Sequence, residues 1–460
     1  MAATETVSIR ERLRSFGGSS RRSAVLKGTA SAALAKVLTT AVSFVSLPLC
    51  VRYFGAERYG VWVTILSTSA WLAVFEFGLT DTITNMISAA HAHDDRESAA
   101  RYATNAVAIA FCFALLLFGI GLLIWPHIDF ARLLNVHGAG LPAEVSRTVA
   151  VACSLVLLTP MCTVGLKILS GYQQTHVANT ATSLGALLSL VGLLIGVSMR
   201  ASMPVLFLAS NGVLTACGVL TLVWTLLISK PWLRPRVQHL SPEIARGLLS
   251  TGLPFFLIRL ASVVVFSTDN VIVSHYLGAA QVTPYSVAMR VVMYAQLIPA
   301  FVFPSLWAAY AEANARGEFD WIRRNYRRTM AISTALTIAP LIVLVFAGRW
   351  IIRLWAGPVA VPSEALLLMM AVWAVVSGMT GVQSCLLGAV QRNRLQAIVS
   401  LLAAGANLAL SIFLVQRFGA IGAVEGTLLS YTLILGPQSF EVRRYFRDQF
   451  KRPTAETLTL

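Results

Sequence analysis

Charge is what this sequence has least of. Only 12% of its 460 residues are charged and 57% are hydrophobic, where soluble domains carry roughly a quarter charged residues. Such a chain cannot hide its apolar surface in one globular core, which excludes a soluble fold and leaves a polytopic membrane protein. Cysteine is sparse and unpatterned: Cys50, Cys112, Cys153, Cys162, Cys217 and Cys385 lie in or beside apolar runs without paired spacing. That excludes a disulfide framework and a zinc site. The apolar runs are continuous rather than alternating, which argues against a β-barrel. Paired carboxylates, a nucleophile motif and a phosphate loop are all missing, so no catalytic residue, metal ligand or cofactor is expected.

What charge there is leans basic, with 36 Lys and Arg against 20 Asp and Glu and a net charge of +16. Its placement decides what it means. Apolar stretches of about 20 residues, long enough to cross a bilayer as helices, fall near 28–50, 60–88, 102–125, 148–168, 180–198, 204–229, 249–276, 285–310, 329–347, 364–388, 396–416 and 422–442. With a cytoplasmic N-terminus, the inward segments hold 25 Lys and Arg and the outward segments 8, while Lys36, Arg259 and Arg290 sit inside spans. The positive-inside rule then predicts cytoplasmic termini, and no nucleic-acid partner is expected. Residues 1–27 read as a disordered basic cytoplasmic tail, 28–229 as a six-helix lobe, 230–248 as a cytoplasmic linker, 249–442 as a second six-helix lobe and 443–460 as a second cytoplasmic tail.

Four local features have simple readings. Arg21 and Arg22 approximate a twin-arginine export signal with the spacing off by one, and the many spans that follow make them orientation charges instead. His91, His93, Asp94 and Asp95 read as a solvated turn rather than a metal site. Ser241 before Pro242 and Glu243 predicts a capped helix start leading into the seventh span. The densest basic cluster, Arg323, Arg324, Arg327 and Arg328, suits anionic membrane lipids.

The seventh span breaks the apolar rule, with Arg259, Asp269 and Asn270 well inside it. At helical spacing these join Ser262, Ser267 and Ser274 on one half, while Leu257, Val264, Val265, Val271 and Ile272 take the other. The first span repeats the pattern, with Lys36, Thr39, Thr40, Ser43 and Ser46 in an arc of about 120°. An offset of 223 carries Lys36 to Arg259, Thr39 to Ser262, Ser46 to Asp269, Tyr53 to Tyr276 and Gly55 to Gly278. Farther on, residues 169–174 correspond to residues 386–391 at an offset of 217. We therefore expect an all-α polytopic membrane protein of about twelve transmembrane helices, in two six-helix lobes related by an internal pseudo-twofold repeat, with both polar stripes facing a shared cavity.

Leu47-Pro48, then Arg52-Tyr53-Phe54-Gly55-Ala56-Glu57-Arg58-Tyr59-Gly60, then Glu76-Phe77-Gly78-Leu79 resemble the first two helices of the polysaccharide-transporter branch of the multidrug/oligosaccharidyl-lipid/polysaccharide flippase superfamily. Leu169-Ser170-Gly171 and Phe418-Gly419-Ala420-Ile421-Gly422-Ala423 fit the same family, and the resemblance covers residues 25–445. It implies a bacterial inner-membrane flippase, similar to O-antigen and exopolysaccharide translocases, that moves a polyprenyl-diphosphate-linked oligosaccharide from the cytoplasmic to the periplasmic leaflet by alternating access. Partners in polysaccharide polymerisation and chain-length control would follow.

Such a substrate needs cations and hydrogen-bonding groups at membrane depth. Lys36, Arg259 and Arg290 are the candidate diphosphate contacts, each costing about 2.5–3.5 kcal/mol at mid-membrane. Thr39, Ser43, Ser262 and Asn270 are candidates for sugar hydroxyls. Glu76, Asp81 and Asp269 are candidates for binding a driving proton or sodium ion. Arg259 and Asp269 lie about 15 Å apart along one helix and cannot neutralise each other. Two other functions compete: a cation-coupled drug or metabolite exporter, which would want a carboxylate-rich cavity without Lys36 or Arg259, and a membrane polysaccharide polymerase, which would want a catalytic external loop.

Overall fold

The structure, a computed structural model, describes residues 2–74, 79–136, 140–392 and 394–450. Among the described residues it is helical, with no strand. Helix α1 (Ala2–Ala73) starts within the stretch read as a tail, carries the first span and bends at Gly55 (φ 72°), so that one helix makes two passes. Helix α2 (Leu79–Ala92) continues the second pass. Helices α3 (Arg96–Ile124), the short α4 (Phe130–Leu133), α5 (Leu141–Gly171) and α6 (Thr175–Ser198) follow. The sixth pass joins α7 (Met203–Phe207) and α8 (Val213–Trp224) through a π turn at Leu208–Gly212, and a second π turn at Thr225–Ser229 ends it.

Helix α9 (Pro242–Leu277) begins as its sequence predicts, with the Ser241 hydroxyl accepting from Ile244 N at 3.4 Å. The eighth pass is broken at Gln296 into α10 (Ala279–Ala295) and α11 (Leu297–Ala315). Helices α12 (Phe319–Ala356), α13 (Glu364–Ala389), α14 (Arg394–Phe418) and α15 (Ala420–Phe450) complete twelve passes. Among the described residues, ten stretches are long and apolar enough to span by length and composition alone. The bend at Gly55 merges two passes into one stretch, and the break at Gln296 divides a twelfth. Side chains such as Phe346, Leu123, Ile228 and Leu402 stand more than two-thirds exposed, as a lipid-facing surface requires.

The repeat is written in the backbone. Left-handed φ at Gly55 returns 223 residues later at Gly278, and that at Asp94 returns 223 later at Gly317. Gln173 pairs with Gln391 at 218 and Arg200 with Gly419 at 219. These are helix-ending positions, where a left-handed residue lets the last carbonyls find donors. Gln174 N bonds Leu169 O at 2.9 Å, and Arg392 N bonds Leu387 O at 2.8 Å. The register there is therefore 218, one residue beyond the 217 that matching side chains suggests, because the turn and not the leucine run fixes the alignment.

The chain divides into two compact units. One comprises residues 1–46, 72–128 and 143–256, and its core gathers Leu79, Ile83, Ile87, Ala103, Ile168 and Leu233. The other comprises residues 47–71, 129–142 and 257–460, with a core of Tyr310, Ile322, Leu386, Leu387 and Tyr445. In this second unit α14 and α15 pack almost backbone to backbone. A Cβ added at Gly426 would lie 2.7 Å from Ser411 Oγ and 2.8 Å from its N, and one added at Gly422 would strike the Leu414 carbonyl group. Small residues four apart are what allow membrane helices to approach this closely.

Candidate functional site

That close approach positions the most buried ionisable group of α9. Asp269 is only 2% exposed. Its Oδ2 accepts from the Tyr285 hydroxyl of α10 at 2.8 Å and from the Thr427 hydroxyl of α15 at 3.0 Å. Thr427 in turn accepts from Asn407 Nδ2 of α14 at 3.1 Å. Ser411, one turn along α14 from Asn407, reaches the Ala423 carbonyl at 3.5 Å. Four helices of one unit thus converge on a single carboxylate.

The cluster is incompletely satisfied. Thr427 has one hydroxyl hydrogen but two acceptors at 3.0 Å, Asp269 Oδ2 and the Ala423 carbonyl. Asp269 Oδ1 and Asn407 Oδ1 are both buried without a hydrogen-bond partner. Asp269 is in no ion pair among the described residues. An ionised carboxylate buried beside neutral donors costs several kcal/mol unless compensated. The groups left over are all hard oxygens, which suit alkali or alkaline-earth cations or a proton rather than a soft transition metal. With one negative charge, the set balances one positive charge.

The other residues expected from sequence are spread more widely. Asn270, beside Asp269, turns to α1, where its Nδ2 donates to Ser67 Oγ at 2.9 Å and its buried Oδ1 has no partner. Arg259 and Ser262 are exposed on α9, and Arg290 is exposed on α10, all in the second unit. Lys36 is exposed on α1 in the first unit. Thr39 is half-buried and spends its hydroxyl on its own helix, bonding Ala35 O at 2.8 Å, and Ser43 is likewise half-buried. Glu76 and the side chain of Asp81 lie outside the described residues. Tyr285, Asn407, Ser411 and Thr427 escape a reading of the sequence. Asn407 was the one detectable signal, an amide alone in the apolar run of residues 400–410.

Residues 25–310 match the family described as polysaccharide biosynthesis protein, and residues 254–413 match the MatE family. A Shigella flexneri protein provisionally named an O-antigen transporter is 21% identical over 403 residues, covering 84% of this chain and 90% of its own length. A Yersinia pseudotuberculosis protein, provisionally named an O-antigen export protein, is 23% identical and covers 71% and 74%. An inward-facing multidrug resistance MATE family transporter of the MOP superfamily superposes with a TM-score of 0.71 at 16% identity, over 90% of this chain and all of that one. The lipid II flippase MurJ in its inward closed conformation gives 0.66 at 14% identity, over 91% and 89%. At these identities the structures speak for the fold.

Proposed function

The chain belongs to the polysaccharide biosynthesis protein family, and we propose that it carries a polyprenyl-diphosphate-linked oligosaccharide from the cytoplasmic to the periplasmic leaflet of a bacterial inner membrane. Movement is by alternating access, for use in surface or exopolysaccharide assembly. The observation that carries this reading is the family match joined to cationic side chains at span depth: Lys36 on α1, Arg259 on α9 and Arg290 on α10. A diphosphate leaving water needs such groups, and Thr39, Ser43, Ser262 and Asn270 add donors and acceptors for sugar hydroxyls.

Asp269 is the coupling group in this proposal. Its free Oδ1, the free Oδ1 of Asn407 and the Thr427 hydroxyl take a proton or a monovalent cation, whose entry relieves the buried carboxylate. Glu76 and Asp81 remain candidates for the same role. The related O-antigen proteins support a lipid-linked glycan as cargo. Polymerase and chain-length proteins would then act on the delivered units.

The MatE match over residues 254–413 favours a second reading, a cation-coupled exporter of small molecules. Charge separates the two, since a path for lipophilic cations is poorly served by Lys36 and Arg259. Replacing Arg259 by alanine in the host should abolish surface glycan, leave the protein abundant in the membrane and accumulate complete repeat units on the cytoplasmic leaflet. Normal glycan output would remove Arg259 from the mechanism. Single units exposed outside without lengthening would turn the assignment to a polymerase.

A further inference from the structure

The first unit holds a second polar constellation, at the ends of its helices rather than at span depth. The turn between α2 and α3, the end of α5 and the segment after α8 surround a cavity of about 180 Å³. Inside it Arg96 lies 4.7 Å from the centre of the Trp232 ring, and the Lys230 ammonium lies 4.8 Å from that of Tyr172 and 5.4 Å from that of Trp232. The indole nitrogen donates to the Tyr172 hydroxyl at 3.3 Å, fixing both rings. Two cations are thus held against aromatic ring faces, which attract positive charge.

Neither cation is in an ion pair among the described residues. Asp95 is committed elsewhere: it caps α3 by accepting from Ser98 N at 2.9 Å, and the hydrogen bonds from Ser98 hold its carboxyl below the usual range. Asp94 stands exposed at the rim. Burial, with Arg96 nearby, pulls the Lys230 ammonium below its ordinary value, so the pair is less comfortable charged than two separate surface cations.

The corresponding place in the second half shows the alternative. The backbone turn recurs there, Gly317 for Asp94 and Gln391 for Gln173, but its cation is neutralised. Arg392 bonds Glu441 at 3.2 Å and Asp448 at 2.9 Å, and Tyr445 fills the space by donating to Asn314 at 2.8 Å. One copy of the repeat is closed by carboxylates; the other keeps its two cations open.

We infer that the cavity of Arg96, Lys230 and Trp232 binds the phosphate of a membrane lipid whose headgroup carries a net negative charge. An anion between the two cations removes their repulsion and supplies the missing acceptors. A lipid, rather than free phosphate, is the source because the flanking chain is built to lie in an interface: Ile228 is 69% exposed, Val237 84% and Leu240 48%. The site is separate from the transported substrate, and its failure leaves the transport reading untouched.

Native mass spectrometry of the purified full-length chain, delipidated and titrated with phosphatidylglycerol or phosphatidylcholine, tests this. The wild type should retain one phosphatidylglycerol about tenfold or more tighter than phosphatidylcholine, the fold-change of about 1.4 kcal/mol. Arg96→Gln with Lys230→Gln should erase the difference, and Lys230→Gln alone should reduce it, with thermal unfolding midpoints close to wild type. Arg316→Gln with Arg417→Gln, two cations far from the cavity in sequence and given no lipid role, should leave it intact. Equal retention of both lipids, or equal loss in both double variants, overturns the proposal. Displacement of the lipid by equimolar inorganic phosphate overturns the lipid source.

Discussion

Thr427 holds a single hydroxyl hydrogen before two acceptors, and Asp269 Oδ1 is buried without a hydrogen-bond partner, the arrangement on which the proposed coupling role rests. Asparagine at position 269 can still accept from Tyr285 and Thr427 while lacking the negative charge. Asp269→Asn is therefore expected to fold and insert normally but to lose stimulation by an imposed proton or sodium gradient, by roughly tenfold, in reconstituted vesicles. Stimulation equal to wild type would exclude Asp269 from coupling. Asp269 and Asn270 are legible in the sequence because a charge and an amide interrupt an apolar run. Ser411 and Thr427 are not, since single hydroxyls in a span more often bond their own helix or pack against a neighbour. Tyr285 sits among apolar residues near a helix start and shows its role only through the partner it meets.

Element boundaries follow the same division. The Ser241 cap is legible, being a local contact between neighbours in the chain. The break at Gln296 is legible too, since Pro299 has no N–H to offer the Ala295 carbonyl, whereas the π turns at Leu208–Gly212 and Thr225–Ser229 have no comparable residue signal. The close contact of α14 and α15 lies between: Gly422 and Gly426 are visible as small residues four apart, but only the structure names Leu414 and Ser411 as what they face. A side chain at Gly426 would press on Ser411, so Gly426→Val should destabilise the protein by about 1–3 kcal/mol and disturb the Asp269 cluster. Gly405→Ala on α14, where an added Cβ meets nothing within 4 Å, should leave the melting temperature in detergent unchanged or raised. Equal melting for both variants would show that the glycine contact is not what holds the two helices.

For the whole molecule, two copies of one six-helix plan have been given different chemistry. The duplication is readable from the 223-residue offset and returns as paired left-handed turns. Where the second copy places Asp269 in a buried cluster, the first has Ser46, whose hydroxyl donates to Ser43 O of its own helix at 3.4 Å. Where the second copy closes its helix-end cation with Glu441 and Asp448, the first leaves Arg96 and Lys230 open. Such divergence suits a transporter in which one copy binds the driving ion and the other is tuned to its lipid surroundings. The central claim is movement of a lipid-linked oligosaccharide across the bilayer. Its most direct measurement is to reconstitute the purified chain into vesicles whose polyprenyl-diphosphate-linked oligosaccharide lies in one leaflet, then follow its exposure to an impermeant glycosidase added on the other side. Exposure should rise with the protein present and fall to the protein-free rate in Arg259→Ala. Exposure at the protein-free rate in wild-type vesicles that still transport a lipophilic cation would contradict it and establish the exporter instead.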